Sequence, residues 1–333
     1  VRTAQSLILV LGLSACAQSQ PLPPSADQWR AIPVQSIGVR FGDPRLDRLL
    51  FRGGVELRSS DAALGGISDI KVMEDGRFIA TSDTGEWFDG AIILDAAGNF
   101  TGVANVRTAL MRDERGQPLE GKEASDAADL AQLPDGRIAL SFEQTQTIRI
   151  YDLNRDGPFG AAIPGPQLAG VQLLPANAGL EAMTAADDGA LVVGAEGGDH
   201  PTTPVWIAPL DAAAPVSSTT SFPLSDGFSL ASLDRLPNGD FVALERFSAP
   251  VIGARARIAR FTAAALRAQT PIIQGVEQLA ALDPPHPVDN FEGISAVSMP
   301  NGVTRLYIVS DNNFSARQRT YLFAFDIVDA PAR

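Results

Sequence analysis

The sequence predicts an all-β fold: a single β-propeller of five blades, closed by a strand from its own N-terminal part. Three observations predict it. A strand, an Asp-Gly or Asn-Gly turn and a second strand recur five times along the chain. Further strand-like runs follow these hairpins, giving about four strands in every 40–60 residues. Helical periodicity is scarce, with AAALRA (263–268) the clearest run.

The five hairpins read ISDIKVMEDGRFIATSD (67–83), ADLAQLPDGRIALSFE (128–143), EAMTAADDGALVVGAE (181–196), ASLDRLPNGDFVALE (231–245) and ISAVSMPNGVTRLYIVSD (294–311). Asp-Gly and Asn-Gly between alternating apolar runs signal a hairpin, because both residues tolerate the positive φ of a tight primed turn. The first unit continues with AIILDA (91–96) and FTGVANVRT (100–108), the second with TIRIYDL (147–153), and the fourth with RIARFT (257–262). The last unit shows three strands, ending in TYLFAFDIV (320–328). LLFRGGVELRS (49–59) can supply the missing fourth and close the ring. A sixth blade stays open if residues 31–60 hold more strands. One propeller over residues 33–330 leaves no room for a second domain.

The chain has 333 residues, 45% of them apolar, enough for a large core. Its net charge of −13 argues against nucleic acid and anionic lipid surfaces as partners. Such acidity serves either solubility or cation binding. At the N-terminus, Arg2 and the apolar run LILVLGL (7–13) lead into Leu13-Ser14-Ala15-Cys16, which looks like a bacterial lipobox. Residues 1–16 are then a lipoprotein signal peptide with Cys16 as the lipidated residue; a plain signal peptide is the alternative. Ala17 in place of Asp favours a periplasm-facing outer-membrane anchor. The Pro- and Gln-rich residues 17–32 read as a flexible tether. Cys16 is the one cysteine, so a disulfide, a zinc–thiolate site or a Cys nucleophile is excluded from the mature domain.

Acids recur in phase with the repeat. The second strand of each unit ends on Asp83, Glu143, Glu196, Glu245 or Asp311. In the first three units this acid follows the Asp of the turn by eight positions; in the last two the match is approximate. Glu181 and Glu292 stand just ahead of a first strand; in unit two that slot holds Ala128, and in unit one Gly65-Gly66. Radial repetition brings equivalent positions together, and converged carboxylates repel unless protonated or bridged by a cation. Oxygen ligands without thiols suit Ca²⁺ or Mg²⁺. The metal candidates are Glu181, Glu292, Asp311, Asp83 and Glu245; the alternative is that these acids cap strand ends. His286, in a Pro-rich loop, is either a general acid/base or plain surface. A G-x-S-x-G elbow and a P-loop are both missing from the sequence.

Four stretches resemble the phytase-like β-propeller domain known as "esterase-like activity of phytase". They are LGGISDI…DGRFIATSDTG (64–85), NAGLEAMT (177–184), LPNGDFVALERFS (236–248) with ARIARF (256–261), and VDNFEGISAV (288–297) with RLYIVSDNNFSARQRTYLFAF (305–325). The resemblance implies ester or phosphoester hydrolysis with bound Ca²⁺; a small anionic ester or phosphate is the expected substrate, and a monomer the expected state. In unit two, Asp126-Ala127-Ala128-Asp129 lacks the Glu of the family's Asp-x-Glu-Gly, so Asp129 replaces it or a ligand is lost. The phosphate-binding lysines that such a site would use are also missing, leaving Arg246, Arg317 and Arg319 to receive an anion. The expected site is therefore Glu181, Glu292 and Arg246 at the mouth of the ring. Two readings compete: a metal-dependent esterase or phosphoesterase, and a non-catalytic envelope propeller that binds a ligand or protein. A lactone hydrolase of another propeller type is a third.

Overall fold

The structure is a computed structural model, and it describes residues 29–174, 179–197, 200–249, 252–268 and 270–328. The expected signal peptide, Cys16 and most of the expected tether lie outside these residues. Among the described residues the chain forms five antiparallel sheets, one per predicted hairpin unit. The innermost strands are Ile67–Val72, Ala127–Gln132, Ala182–Ala185, Ser229–Arg235 and Asn290–Ser298. Each touches the next, and the last touches the first, so the five blades close a ring around a central channel.

Closure uses the N-terminal strand, as the sequence predicts. Leu49–Arg58 pairs antiparallel with Thr320–Ile327 and gives blade five its fourth strand. Gln35–Gly38 adds a strand outside it. Residues 31–60 therefore complete blades rather than build a sixth. Arg30–Ala31, at the end of the stretch read as a tether, pairs with Phe100–Leu110 on the rim of blade one. The wrap runs close to blade one at Gly53. Its φ is +124°, and a Cβ there would lie 2.0 Å from the Phe100 carbonyl oxygen.

Apolar side chains fill the gaps between blades, which is why the strands read as nearly continuous hydrophobic runs. Between blades four and five pack Leu244, Ile258, Leu279, Phe291, Ile308, Phe323 and Phe325. Trp87, Met111, Leu140, Phe142 and Tyr151 pack between blades one and two. Each buried side chain of this size stabilises by about 1.5–3 kcal/mol.

The channel side poses a different problem. An innermost strand has no neighbour on its inward edge, so its N–H groups there need other acceptors. Side chains of other blades supply them. Asp69 Oδ2 accepts from Leu130 N (3.1 Å). Asp129 Oδ2 accepts from Met183 N (2.6 Å) and Leu233 N (3.1 Å). Ser232 Oγ accepts from Ile294 N, Asp234 Oδ2 from Ala296 N, and Ser295 Oγ from Val72 N. The chain of bonds thus runs from blade to blade around the whole ring. Lys71 Nζ sits 2.6 Å from both Asp234 oxygens and neutralises that acid.

Two variants test this closure. Deleting residues 30–58 should expose the edge of Thr320–Ile327; the cooperative thermal transition should vanish and the chain should elute as aggregates in size exclusion. A monomer with an unchanged midpoint would show that the wrap contributes nothing. Gly53→Ala alone should cost about 1–3 kcal/mol in denaturant unfolding, from its left-handed φ and the close Phe100 carbonyl.

Candidate functional site

The site grows out of a bulge that repeats in each blade. The register between innermost and second strand slips by one residue between Ile67 and Asp69, between Leu230 and Ser232, and between Phe291 and Gly293. The same slip lies opposite Leu140–Phe142 in blade two. In blade three Glu196 N donates to Gly179 O while Ala182 pairs with Gly194, which puts the extra residue at 180–181. A β-bulge leaves one residue unpaired and re-aims its side chain. The re-aimed residues are Ser68, Ala128, Glu181, Ala231 and Glu292, and all five line one pocket of about 190 Å³ at the channel mouth. The acid ahead of the strand is thus the residue that the bulge turns into the mouth.

The second strand contributes one residue per blade at the same level: Asp83, Glu143, Glu196, Arg246 and Asp311. The fourth member corrects the sequence expectation. Glu245 lies one residue out of phase; Leu230 pairs with it, and Ser229 pairs with Arg246. Its carboxylate is buried between strands, accepting from Ser225 N (2.7 Å) and Ser225 Oγ (2.6 Å), away from the pocket. The eight-residue spacing from Asn238 points to Arg246, so strict phase would have found it. In blade one the bulge slot holds Ser68 rather than Gly65-Gly66. Asp129, one place past the Ala128 slot, faces the channel hub instead of the mouth.

Arg246 is the centre of the cluster. Its Nη2 donates to Glu196 Oε1 at 3.0 Å and lies 4.0 Å from Glu181 Oε1. Its Nη1 donates to Glu292 Oε1 and, at 3.3 Å, to Asn290 Oδ1. Asn290 Nδ2 in turn holds Glu292 Oε1 at 2.6 Å. The positive charge between Glu181 and Glu292 is therefore the guanidinium. Across the pocket, Lys122 Nζ lies 2.6 Å from Asp83 Oδ2 and 3.2 Å from Asp126 Oδ1. Sequence reasoning met Asp126 in the Asp-x-Glu-Gly comparison but named neither it nor Lys122 as a site residue, since neither residue type repeats at these positions. Arg317 and Arg319 lie outside the pocket; Arg319 pairs with Glu56. His286 stacks on Phe41 and bonds the Phe41 carbonyl, so it serves packing.

Glycines make room for these acids. A Cβ on Gly66 would meet Asp83 Oδ1 at 2.0 Å, and one on Gly179 would meet Glu143 Cγ at 2.2 Å. Gly293, beside Glu292, clears space for Asp69 Oδ1 in the channel below.

Charge at the mouth is unbalanced. Among the described residues seven carboxylates (Asp83, Asp126, Glu143, Glu181, Glu196, Glu292 and Asp311) face two cationic side chains, Lys122 and Arg246. The excess shows as bound protons. Burial, then the neighbouring Asp126 charge, pushes Glu143 up to about 7. Burial and Glu292 push Asp311 up to about 8. Burial raises Glu181 well above the carboxylate range and raises Glu292 too, with Arg246 opposing in both cases. Burial alone would lower Arg246, but Glu292, Glu181 and Glu196 outweigh it and keep the guanidinium charged.

The donor set suits a hard cation: every donor is a carboxylate or amide oxygen, and Asp83 Oδ1 and Asp126 Oδ2 are buried without a protein donor. Even so, no set of three or more His, Cys, Asp or Glu among the described residues is drawn tightly enough to hold a metal as it stands. The wall of Asp83, Asp126 and Asp311 fits a cation in chemistry, and some of its side chains would have to turn inward.

Comparison with known proteins gives one family match. The family model described as "Phytase-like: Esterase-like activity of phytase" matches residues 62–314. No curated protein matches the chain. Similar solved structures include a protein of unknown function from Dyadobacter fermentans, 11% identical with a TM-score of 0.46, covering 90% of this chain and 96% of that one. The holo form of a pyranose dehydrogenase PQQ domain from Coprinopsis cinerea is 11% identical with a TM-score of 0.44, covering 92% and 98%. A calcium structure of the Trichoderma reesei carbohydrate-active enzyme family AA12 is 12% identical with a TM-score of 0.42, covering 92% and 99%. At such identities the likeness says nothing about chemistry.

The proton-rich cluster makes stability fall as pH rises. Glu143 and Asp311 keep protons in the folded chain at pH values where the unfolded chain has lost them. Their contribution is full below about pH 4 and is lost as pH climbs through about 7 and 8. In EDTA the thermal midpoint should drop by about 5 °C or more between pH 5 and pH 8.5; a flat or rising profile would contradict the assigned protonation. Arg246→Met leaves the acids around it without their counter-charge and should cost about 3–5 kcal/mol at pH 8. That loss should shrink at pH 5, where the acids take up protons.

Proposed function

We propose, from the premise that this chain belongs to the phytase-like family described by esterase-like activity, that it hydrolyses an ester at the carboxylate-walled mouth with the help of a hard divalent cation, Ca²⁺ in the first instance. The observation that carries the reading is the charge imbalance of seven acids against two bases, two of the acids holding a buried oxygen without a donor. Asp83, Asp126 and Asp311 are the residues that would hold the cation, with Lys122 giving way. When bound, it would supply the charge that polarises an ester oxygen and lowers the pKa of a water.

The chain's own groups do the rest. Glu143 titrates near neutrality, where a carboxyl can both give and take a proton. Arg246 holds Glu292, Glu196 and Glu181 in place from the far side of the pocket. Without a cation the walls repel a phosphate dianion, whereas a neutral carboxylic ester meets no such barrier. Cation dependence should therefore be strict for phosphoesters and weaker for carboxylic esters. A non-catalytic binding propeller is the second reading, favoured by Lys122, which already pairs with Asp83 and Asp126, two of the acids that an activating metal would need.

The test uses 4-nitrophenyl acetate and 4-nitrophenyl phosphate with EDTA or Ca²⁺, alongside calorimetric titration of Ca²⁺. Ca²⁺ should bind, raise the thermal midpoint by mass action, and support hydrolysis. Asp83→Asn or Asp311→Asn should lower the rate by roughly 10²-fold or more. Ca²⁺ binding without turnover of either ester would leave the binding-propeller reading. No Ca²⁺ binding at all would remove the cation from the proposal.

The address is proposed from the leader alone. LILVLGL followed by Leu13-Ser14-Ala15-Cys16 supports lipidation at Cys16 and an outer-membrane anchor that holds the mouth in the periplasm. Labelled palmitate should be incorporated, and Cys16→Ala should release the chain from the membrane fraction; absence of label would end this reading.

A further inference from the structure

Next to the carboxylates stands an aromatic ring in an unusual posture. Asp311-Asn312-Asn313-Phe314 leaves the second strand of blade five, and two of its residues in succession take left-handed backbone: Asn313 at φ 46° and Phe314 at φ 49°. Asn tolerates that region, whereas a bulky aromatic there is an outlier that persists only when its surroundings enforce it. They do so here. Asp311 Oδ1 accepts from Asn313 N at 2.7 Å, and Asn312 Oδ1 accepts from Phe314 N at 3.0 Å and from Gly66 N at 3.4 Å. The Asn312 carbonyl accepts from Ser315 N at 2.7 Å.

The ring rests on a seat that only glycine allows. A Cβ on Gly65 would lie 2.5 Å from the ring, and one on Gly66 would lie 2.9 Å from it. The same Gly66 position lies 2.0 Å from Asp83 Oδ1, so ring and carboxylate crowd one point on the pocket wall. Asn313, the residue before the ring, lines the pocket itself. After all this positioning Phe314 remains 52% exposed. A ring placed for core packing would be buried; this one is seated against Gly65 and Gly66, beside the pocket, with much of its surface open.

We propose that Phe314 is the platform on which the planar ring of a substrate stacks, and that the substrates are therefore esters of ring-bearing, aromatic alcohols. The proposal rests on the ester-hydrolysing reading of the pocket. The volume agrees: about 190 Å³ takes an ester group and a short acyl chain, so a ring on the alcohol side would extend past Asn313, the last lining residue on that side, toward the neighbouring Phe314. Stacking an aromatic face there gains dispersion and buried area that an alkyl group cannot match.

The test separates binding from turnover. Acetanilide and N-ethylacetamide, unreactive analogues of phenyl and ethyl acetate, are titrated against wild type, Phe314→Ala and Phe314→Tyr by ligand-observed NMR with Ca²⁺ present. Wild type should bind acetanilide about tenfold more tightly, Phe314→Ala should lose that preference, and Phe314→Tyr should keep it. In parallel, Phe314→Ala should raise KM for phenyl acetate about tenfold, with kcat little changed and KM for ethyl acetate unmoved. Equal affinity for the two probes, no binding of either, or a preference that survives Phe314→Ala overturns the platform. A preference that follows Phe314 in an enzyme that turns over neither ester keeps the platform and overturns the hydrolase reading instead.

Discussion

Everything in this molecule follows from one unsatisfied edge. Five sheets arranged radially leave five innermost strands whose inward N–H groups have no neighbouring strand. The side chains that meet them are buried, and a buried orphan N–H costs roughly 1–3 kcal/mol. The chain answers with side-chain acceptors from other blades: Asp69, Asp129, Asp234, Ser232 and Ser295. Because each acceptor bonds a different blade, the hub also sets the angular spacing of the ring. Asp234 needs Lys71 beside it for charge, and Asp69, pushed well up by burial and by Asp129, needs a proton.

The same geometry creates the mouth. An innermost strand that both pairs outward and meets the hub inward has to change course at its start, and the bulge is where it does so. Bulging frees one residue per blade from pairing and turns it toward the channel opening. Two of those five residues are glutamates, and the second-strand residues at that level are mostly acids. The chain thus concentrates negative charge where solvation is poor, then relieves it with one guanidinium, one ammonium and several retained protons. That balance responds to pH, and to any cation that replaces the protons.

Rigidity at the rim has the same origin. Gly65 and Gly66 precede the bulge of blade one, and their lack of side chains admits both Asp83 from their own blade and Phe314 from the last blade. The seam between first and last blades is where the chain closes on itself, and there the mouth gains its aromatic wall. The left-handed Asn313 and Phe314 are held by the Asp311 and Asn312 side chains, which accept from their backbone N–H groups.

Five hairpins, the closing strand and the acid at four of the five blade ends were legible in the sequence. Turn glycines and period-two apolar runs are local properties, and radial symmetry converts a repeat into convergence without further information. Glu181, Glu292, Asp83 and Asp311 were legible as members of one site for that reason, whereas Arg246 was named only for its positive charge. Other features depended on register. Whether position 245 or 246 faces the mouth turns on a one-residue slip, and a slip of one reverses the face of a strand. The approximate spacing in unit four let Glu245 stand where Arg246 belongs. Asp129 went astray in the same way, one place beyond the slot filled by Ala128. Lys122 opens a short helix, Lys122–Ser125, and Asp126 holds a position filled by Gly66 in blade one and Gly179 in blade three, so no repeated residue type announced them. By itself the sequence determined the architecture and the acidity of its mouth, because both follow from a pattern repeated five times. Only the tertiary structure decided which charge sits at the centre, because that depends on where each bulge falls and on which side chain reaches across the ring.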